Sequence, residues 1–226
     1  MTSKRGSRCG EQKKDLEFKV YGPGQVTSAI VEIVEKPWER VLIDGQPHEH
    51  GFKLGSEKHT VEAIVKKNGG LLLTSGIEGL SVVKTTKGQI PTALPETKER
   101  ILATEVTASW RYSYDCVASI PKNPLYFTEQ YLDVKKVLPK YFFGPPKEGV
   151  HSPSVQGTLF EMARAVLSRF PDISSVKLNM PNIHFIPVNL SSKDNVIVKF
   201  ENDVYLPTDE PHGTIEATLS RLLAKM

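Results

Sequence analysis

The segment Ser152-Pro153-Ser154-Val155-Gln156 stands at the head of an apolar run with helical spacing. A helix leaves its first backbone N–H groups without intrahelical partners, and those groups favour an anion. Val155 falls in that first turn, so its N–H can point at a ligand. The Gln156 amide can both donate and accept. The same residues also read as a well-capped helix carrying a surface glutamine. Arg100 precedes a second apolar run. A guanidinium there can clamp a planar anion through two hydrogen bonds, or it can be a solvated charge at a strand end. Asn182 and His184 alternate after Pro181, in a stretch otherwise rich in Phe185, Ile186 and Val188. Alternate residues of a strand share a face. The two form either a polar corner of a site or a hydrogen-bonded pair in a core.

Other constellations lead to bland readings. His48 and His50 could face one way along a strand, but no further His or Cys lies nearby in sequence to complete a metal site. They read as exposed histidines beside a turn, and no metal is expected. Gly22-Pro23-Gly24 lacks the strand–helix context of a phosphate loop. Ser113 and Ser119 sit in no nucleophile elbow. Glu49 and Glu57 read as solvated loop charges.

The elements that must position these residues follow from periodicity. Val26 to Val34 is β-branched and partly alternating, and Trp38 to Ile43 resumes the pattern after Pro37. Asp44-Gly45 is a hairpin signal. Phe52 to Leu54, Thr60 to Lys66, Leu71 to Leu73 and Leu80 to Lys84 read as further strands, with a turn at Asn68-Gly69-Gly70. Arg100 to Tyr114 alternates as a long strand. Thr128 to Phe143 has helical spacing, with Thr128 as N-cap, a kink at Pro139 and a stop at Gly144-Pro145-Pro146. A second helix opens with Ser152 as N-cap and Pro153 at the first helical position. Its apolar stripe is Val155, Leu159, Met162, Ala163, Val166, Leu167 and Phe170. Strands follow over Ser175 to Leu190 (broken near Pro181), around Val196 to Tyr205, and over Thr214 to Leu223. The order predicts an α+β fold, an antiparallel sheet with two helices on one face.

The chain has 226 residues, 39% hydrophobic and 24% charged, with a formal charge of +3. Its cations are interleaved with acids, so no basic stripe argues for nucleic acid. No apolar run reaches membrane-spanning length, so no membrane partner is expected. Cys9 and Cys116 lie far apart and read as reduced thiols. Met1 to Lys14 reads as a disordered arm. The terminal Ala224-Lys225-Met226 follows the small, basic, apolar pattern of a peroxisomal address.

Taken together, several segments resemble urate oxidases (uricases), and plant uricases in particular. They are Ser152 to Gln156, Pro181-Asn182-Ile183-His184-Phe185, Glu99 to Val106, Trp110-Arg111-Tyr112, Val34 to Arg40, His48 to Phe52, Thr74 to Leu80 and Tyr205 to Gly213. The resemblance implies a T-fold, built of two β-β-α-α-β-β units, with four chains assembling around a tunnel. Residues 1–25 are unmatched. Residues 26–91 correspond to a partial first unit made of strands, and residues 92–226 to a complete second unit. The implied reaction is cofactor-free oxidation of urate by O₂ to 5-hydroxyisourate and H₂O₂. Arg100, Gln156 and the Val155 N–H would grip urate, Asn182 would hold oxygen or water above the ring, and His184 would serve a proton relay. The implied partners are urate, O₂ and further copies of the chain.

The sequence departs from that family in three respects. The family's relay uses a lysine near the N-terminus and a threonine in a T-D-T-x-K-N segment. Neither is found, and Lys13, Lys14 and Lys19 lie in no family motif. The phenylalanine that stacks on urate, in a Q-S-G-F segment, is also absent. Thr85-Thr86 runs through Lys87-Gly88-Gln89-Ile90-Pro91 directly to Thr92. Two expectations follow. One is a urate oxidase by descent whose turnover is impaired. The other is a non-catalytic, shortened uricase that binds a purine weakly or joins full-length subunits.

Overall fold

The computed structural model describes residues 26–85, 101–188, 190–191, 197–198, 204–208 and 213–221. The strands are β1 (Ser28–Glu35), β2 (Trp38–Ile43), β3 (Gln46–Leu54), β4 (Lys58–Lys66), β5 (Leu71–Thr85), β6 (Ile101–Tyr112), β7 (Ile173–Pro181), β8 (His184–Pro187), β9 (Leu190–Ser191), β10 (Ile197–Val198), β11 (Tyr205–Thr208) and β12 (Thr214–Ser220). The helices are α1 (Tyr126–Phe143) and α2 (Val155–Arg169). Among the described residues, six strands form one antiparallel sheet in the order β1-β4-β5-β6-β7-β12.

Two turns carry out the expected reversals. Asp44 and Gly45 both adopt positive φ, 50° and 78°, the two-residue turn that matches strand twist, and they join β2 to β3. Between β4 and β5, Gly69 takes φ 85° while the Asn68 side chain accepts from the Gly70 N–H. The two strands expected at Leu71 to Leu73 and Leu80 to Lys84 are one strand, β5. A register shift between Ile77 and Leu80, with Gly79 at φ 80°, bends it without ending it.

Alternation places one side chain in two on the helix-covered face. Trp110, Ala108 and Val106 of β6 lie beside Val176, Leu178 and Met180 of β7, and all are buried with α1 and α2 in one core. Val134, Leu138 and Phe142 of α1, and Leu159, Met162 and Val166 of α2, close that core. This is the expected α+β arrangement. β5 belongs to the helix-covered sheet: its Leu71, Leu73 and Ile77 are core residues and it pairs with β6.

The helix ends differ from expectation in two places. Leu125, not Thr128, is the N-cap of α1, and no side chain caps it. Ser154, not Ser152, caps α2. Ser154 has the extended backbone that a cap requires, and its hydroxyl accepts from the Gly157 N–H at 3.0 Å. Pro139 lies inside α1 without ending it, and Gly144 stops the helix at φ 76°. Cys9, on which the expectation of reduced thiols also rests, lies outside the described residues.

β1 and β4 extend the sheet beyond the helices. Val61, Ala63 and Val65 of β4 pack against the core, and two further contacts tie this end of the sheet to α1. The His59 ring stacks on Tyr131 at 3.9 Å, with its Nδ1 3.3 Å from the Glu35 carboxylate, and Lys135 pairs with Glu57. Burial lowers the His59 pKa, opposed by Glu35. The outer strand β1 is bare. Val31 and Ile33 are 52% and 56% exposed.

Candidate functional site

α2 and β7 are consecutive and joined by a tight turn at Pro171-Asp172, so they run in opposite directions. α2 spans about 22 Å at 1.5 Å per residue. β7 spans about 30 Å at roughly 3.3 Å per residue. The start of the helix therefore lies toward the end of the strand, with Val155 near the level of Met180 and Pro181. At that end β7 pairs with the start of β12, Pro181 opposite Thr214, while β6 begins nearby at Ile101. Two backbone hydrogen bonds hold the chain after Pro181 in place. The Asn182 N–H donates to the Gly213 carbonyl at 2.8 Å, and the Ile183 N–H donates to the Ala103 carbonyl at 3.0 Å. Asn182, Ile183 and the starts of β6 and β12 thus lie at one end of the sheet, the end toward which the antiparallel α2 opens.

The opening of α2 has the chemistry of an anion site. The Ser154 hydroxyl takes the Gly157 N–H, and the Ser154 carbonyl takes the Thr158 N–H at 3.1 Å. The N–H groups of Val155 and Gln156 precede that first helical bond, so they are the donors left for a ligand. Val155 is buried and Gln156 is exposed. One residue is thereby fixed in the core while the next presents its amide outward.

Asn182 and His184 are arranged differently from a simple strand. Asn182 lies between β7 and β8 and is half-buried, while His184 opens β8 and is exposed. β8 pairs with β11, not with the main sheet, and the Thr208 hydroxyl donates to the His184 carbonyl at 3.1 Å. The chain leaves one sheet and joins another between the two residues. Strand alternation therefore does not decide whether their side chains share a face. Arg100 lies outside the described residues, immediately before β6. Ala224, Lys225 and Met226 also lie outside them.

Two anchoring residues escaped the sequence reading. Lys84, on the helix-covered face of β5, donates to the Phe142 carbonyl at 2.6 Å, the Ser152 hydroxyl at 2.7 Å and the Val150 carbonyl at 3.2 Å. Its signal was a lysine at an inward position of an alternating strand. Asp172, in the α2–β7 turn, accepts from Tyr126 at 2.5 Å, Tyr114 at 3.0 Å and Gln130 at 2.8 Å. Burial raises both tyrosine pKa values, with the Asp172 carboxylate adding to it in each case, so the hydroxyls remain donors. These contacts tie the far end of α2 to the start of α1. Among the described residues, no group of three or more His, Cys, Asp or Glu could hold a metal. His48 and His50 are exposed on β3, where the His50 N–H donates to His48 Nδ1 at 3.2 Å.

The family profile described as Uricase matches residues 73–216. Uricase-2 isozyme 1 of Canavalia lineata is 69% identical over 209 residues, which cover 89% of this chain and 68% of that relative. The uricase of Arabidopsis thaliana is 60% identical over 238 residues, covering 98% and 77%. Among solved structures, the uricase from Arthrobacter globiformis superposes with a TM-score of 0.68 at 32% identity, covering 88% of this chain and 65% of that one. The chain thus spans about two thirds of the length of the first of these relatives and of the solved structure. The antiparallel sheet with its paired helices is a fold shared with the Arthrobacter globiformis uricase, and the chain belongs to the uricase family.

Proposed function

We propose that this chain binds urate at the head of α2 and belongs to the machinery that oxidises urate with O₂ to 5-hydroxyisourate and H₂O₂. The feature that supports the reading is the start of α2, where the Val155 and Gln156 N–H groups precede the first helical hydrogen bond, in a chain of the uricase family. Urate is a planar anion. A helix N-terminus, an amide and a guanidinium suit it better than any neutral ring. In this reading Arg100 and Gln156 grip the ring edge, the Val155 N–H donates to a ring oxygen, Asn182 holds oxygen or water above the plane, and His184 moves protons. No cofactor takes part.

The test is binding of urate without oxygen, where no turnover can confuse the readout. Arg100→Ala is expected to weaken urate binding by roughly ten- to a hundredfold, the range for losing a charge-assisted hydrogen-bonded contact. Unchanged affinity would remove Arg100 from the site.

A second reading, binding without efficient catalysis, is favoured by a specific feature. The link from Thr86 to Thr92 carries no phenylalanine to stack on the ring. Assembly with further copies and a peroxisomal destination complete the proposal. The latter rests on Ala224-Lys225-Met226. A fluorescent protein fused at the N-terminus is expected to enter peroxisomes, and to stay in the cytosol when these three residues are deleted. Cytosolic signal from both fusions would refute the address.

A further inference from the structure

We propose that Lys84 is a positioning residue for urate, holding the head of α2 in its ligand-binding place from the opposite element, β5. The inference rests on the urate reading of that helix end. Lys84 shares the helix-covered face with Leu80 and Val82, and its partner across the sheet is Leu102 of β6. An ammonium at such a position must find acceptors, because burying a charge without them is costly. It has three donors, and three acceptors receive them: the Phe142 carbonyl, the Val150 carbonyl and the Ser152 hydroxyl. The Phe142 ring adds a face to the cation, with its centroid 4.9 Å away. Burial lowers the Lys84 pKa.

The acceptors are not scattered. The Phe142 carbonyl belongs to the last turn of α1, where carbonyls lack helical partners and a cation is favoured. Val150 and Ser152 lie in the connection to α2. Ser152 passes the restraint on, since its buried hydroxyl is 2.7 Å from Thr158 Oγ1 in the first turn of α2. Thr158 is also 3.1 Å from the Ser154 carbonyl, the residue that caps the helix. One amine therefore fixes the end of α1, the connection and the cap that leaves Val155 and Gln156 open. A guanidinium fixes the other end of α2 in a similar way. Arg221 donates to the carbonyls of Ile173 at 2.8 Å, Phe170 at 2.9 Å and Leu167.

That symmetry supplies the control. Lys84→Met and Arg221→Met each remove a cation that binds three carbonyl or hydroxyl oxygens at one end of the same helix. Urate binding is measured for both without oxygen, along with amide hydrogen exchange of the unliganded proteins. Lys84→Met is expected to weaken urate binding at least about tenfold, because small misplacements of binding groups cost that much or more. Its exchange is expected to quicken over residues 144–158. Arg221→Met is expected to quicken exchange near residues 165–173 and to leave urate affinity within about twofold of the parent, as distant independent sites do. Equal loss of affinity in the two variants would reduce Lys84 to a general stabiliser and overturn the proposal. So would parental affinity in Lys84→Met. If the parent chain itself fails to bind urate, the functional reading and the ligand role of Lys84 fall together. The exchange data still decide whether Lys84 holds this helix end.

Discussion

Purified alone, the 226-residue chain is expected to consume urate at least ~10⁴-fold more slowly than longer uricases, if two catalytic contributions are missing and each is worth roughly 10² or more. The first is the proton relay. His184 is present and exposed at the start of β8, but no lysine and threonine in the family's relay pattern occur within these residues. A histidine without its partners lacks the groups that set its protonation state and orientation. The second is ring positioning. The link between β5 and β6 passes from Thr86 to Thr92 without an aromatic residue, so nothing in it can stack on the urate plane. A ring held only at its edge keeps more freedom, and orientation is worth a large share of catalysis. The measurement is loss of urate absorbance under oxygen. A rate within tenfold of a longer relative would show that the relay and stacking roles are filled by other groups. Adding an intact relative that restores turnover would place those groups on the partner.

The parts of this molecule that were legible in its sequence share a physical property: their signals are local. Asp44-Gly45 announced a hairpin because positive φ at both positions is a property of those two residues, and the structure puts them there. The α2 stripe announced itself by spacing, and Leu159, Met162 and Val166 are buried as that spacing requires. The anion-binding potential of Val155 and Gln156 is likewise a property of any helix start. The misread features depended on tertiary context. Ser152 has the right residue type and a proline after it, yet Ser154 caps the helix, while the Ser152 hydroxyl is engaged by Lys84, distant in sequence. In sequence Leu71 to Leu73 and Leu80 to Lys84 look like separate strands, with Gly79 between them. Pairing on both sides, with β4 and β6, carries the strand through. Alternation alone puts Asn182 and His184 on one face, but the passage from β7 to β8 removes the basis for that inference. Asp172 gave no signal, since an aspartate after a proline in a turn is ordinary. Only the approach of Tyr114, Tyr126 and Gln130 makes it an anchor.

The isolated chain is expected to associate, and the strands that the helices do not reach are the cause. On β1, alternation puts Ala29, Val31, Ile33 and Glu35 on the helix side, opposite Val65, Ala63, Val61 and His59 of β4. The β4 residues are partly buried against the core, but Val31 and Ile33 remain about half exposed. On the other face of β1, Ile30 and Val34 are 61% and 57% exposed. The β2–β3 hairpin adds Trp38, Phe52 and Leu54 on neighbouring positions of one ribbon, with the Arg40 guanidinium over the Phe52 ring at 4.6 Å. A two-stranded ribbon is marginal in water without something to pack on. Each valine, isoleucine or aromatic side chain withdrawn from water contributes about 1.5–3 kcal/mol, so covering even three of them favours a complex strongly. Light scattering after size-exclusion chromatography is therefore expected to show oligomers or larger aggregates at micromolar concentration. Co-expression with an intact relative is expected to raise the soluble yield. Val31→Glu combined with Ile33→Lys should shift the chain toward smaller species, because both substitutions lie on the bare edge strand and neither residue is in the core. A compact monomer of the parent chain at high concentration would contradict this, and it would mean that β1 and the hairpin are covered from within the chain.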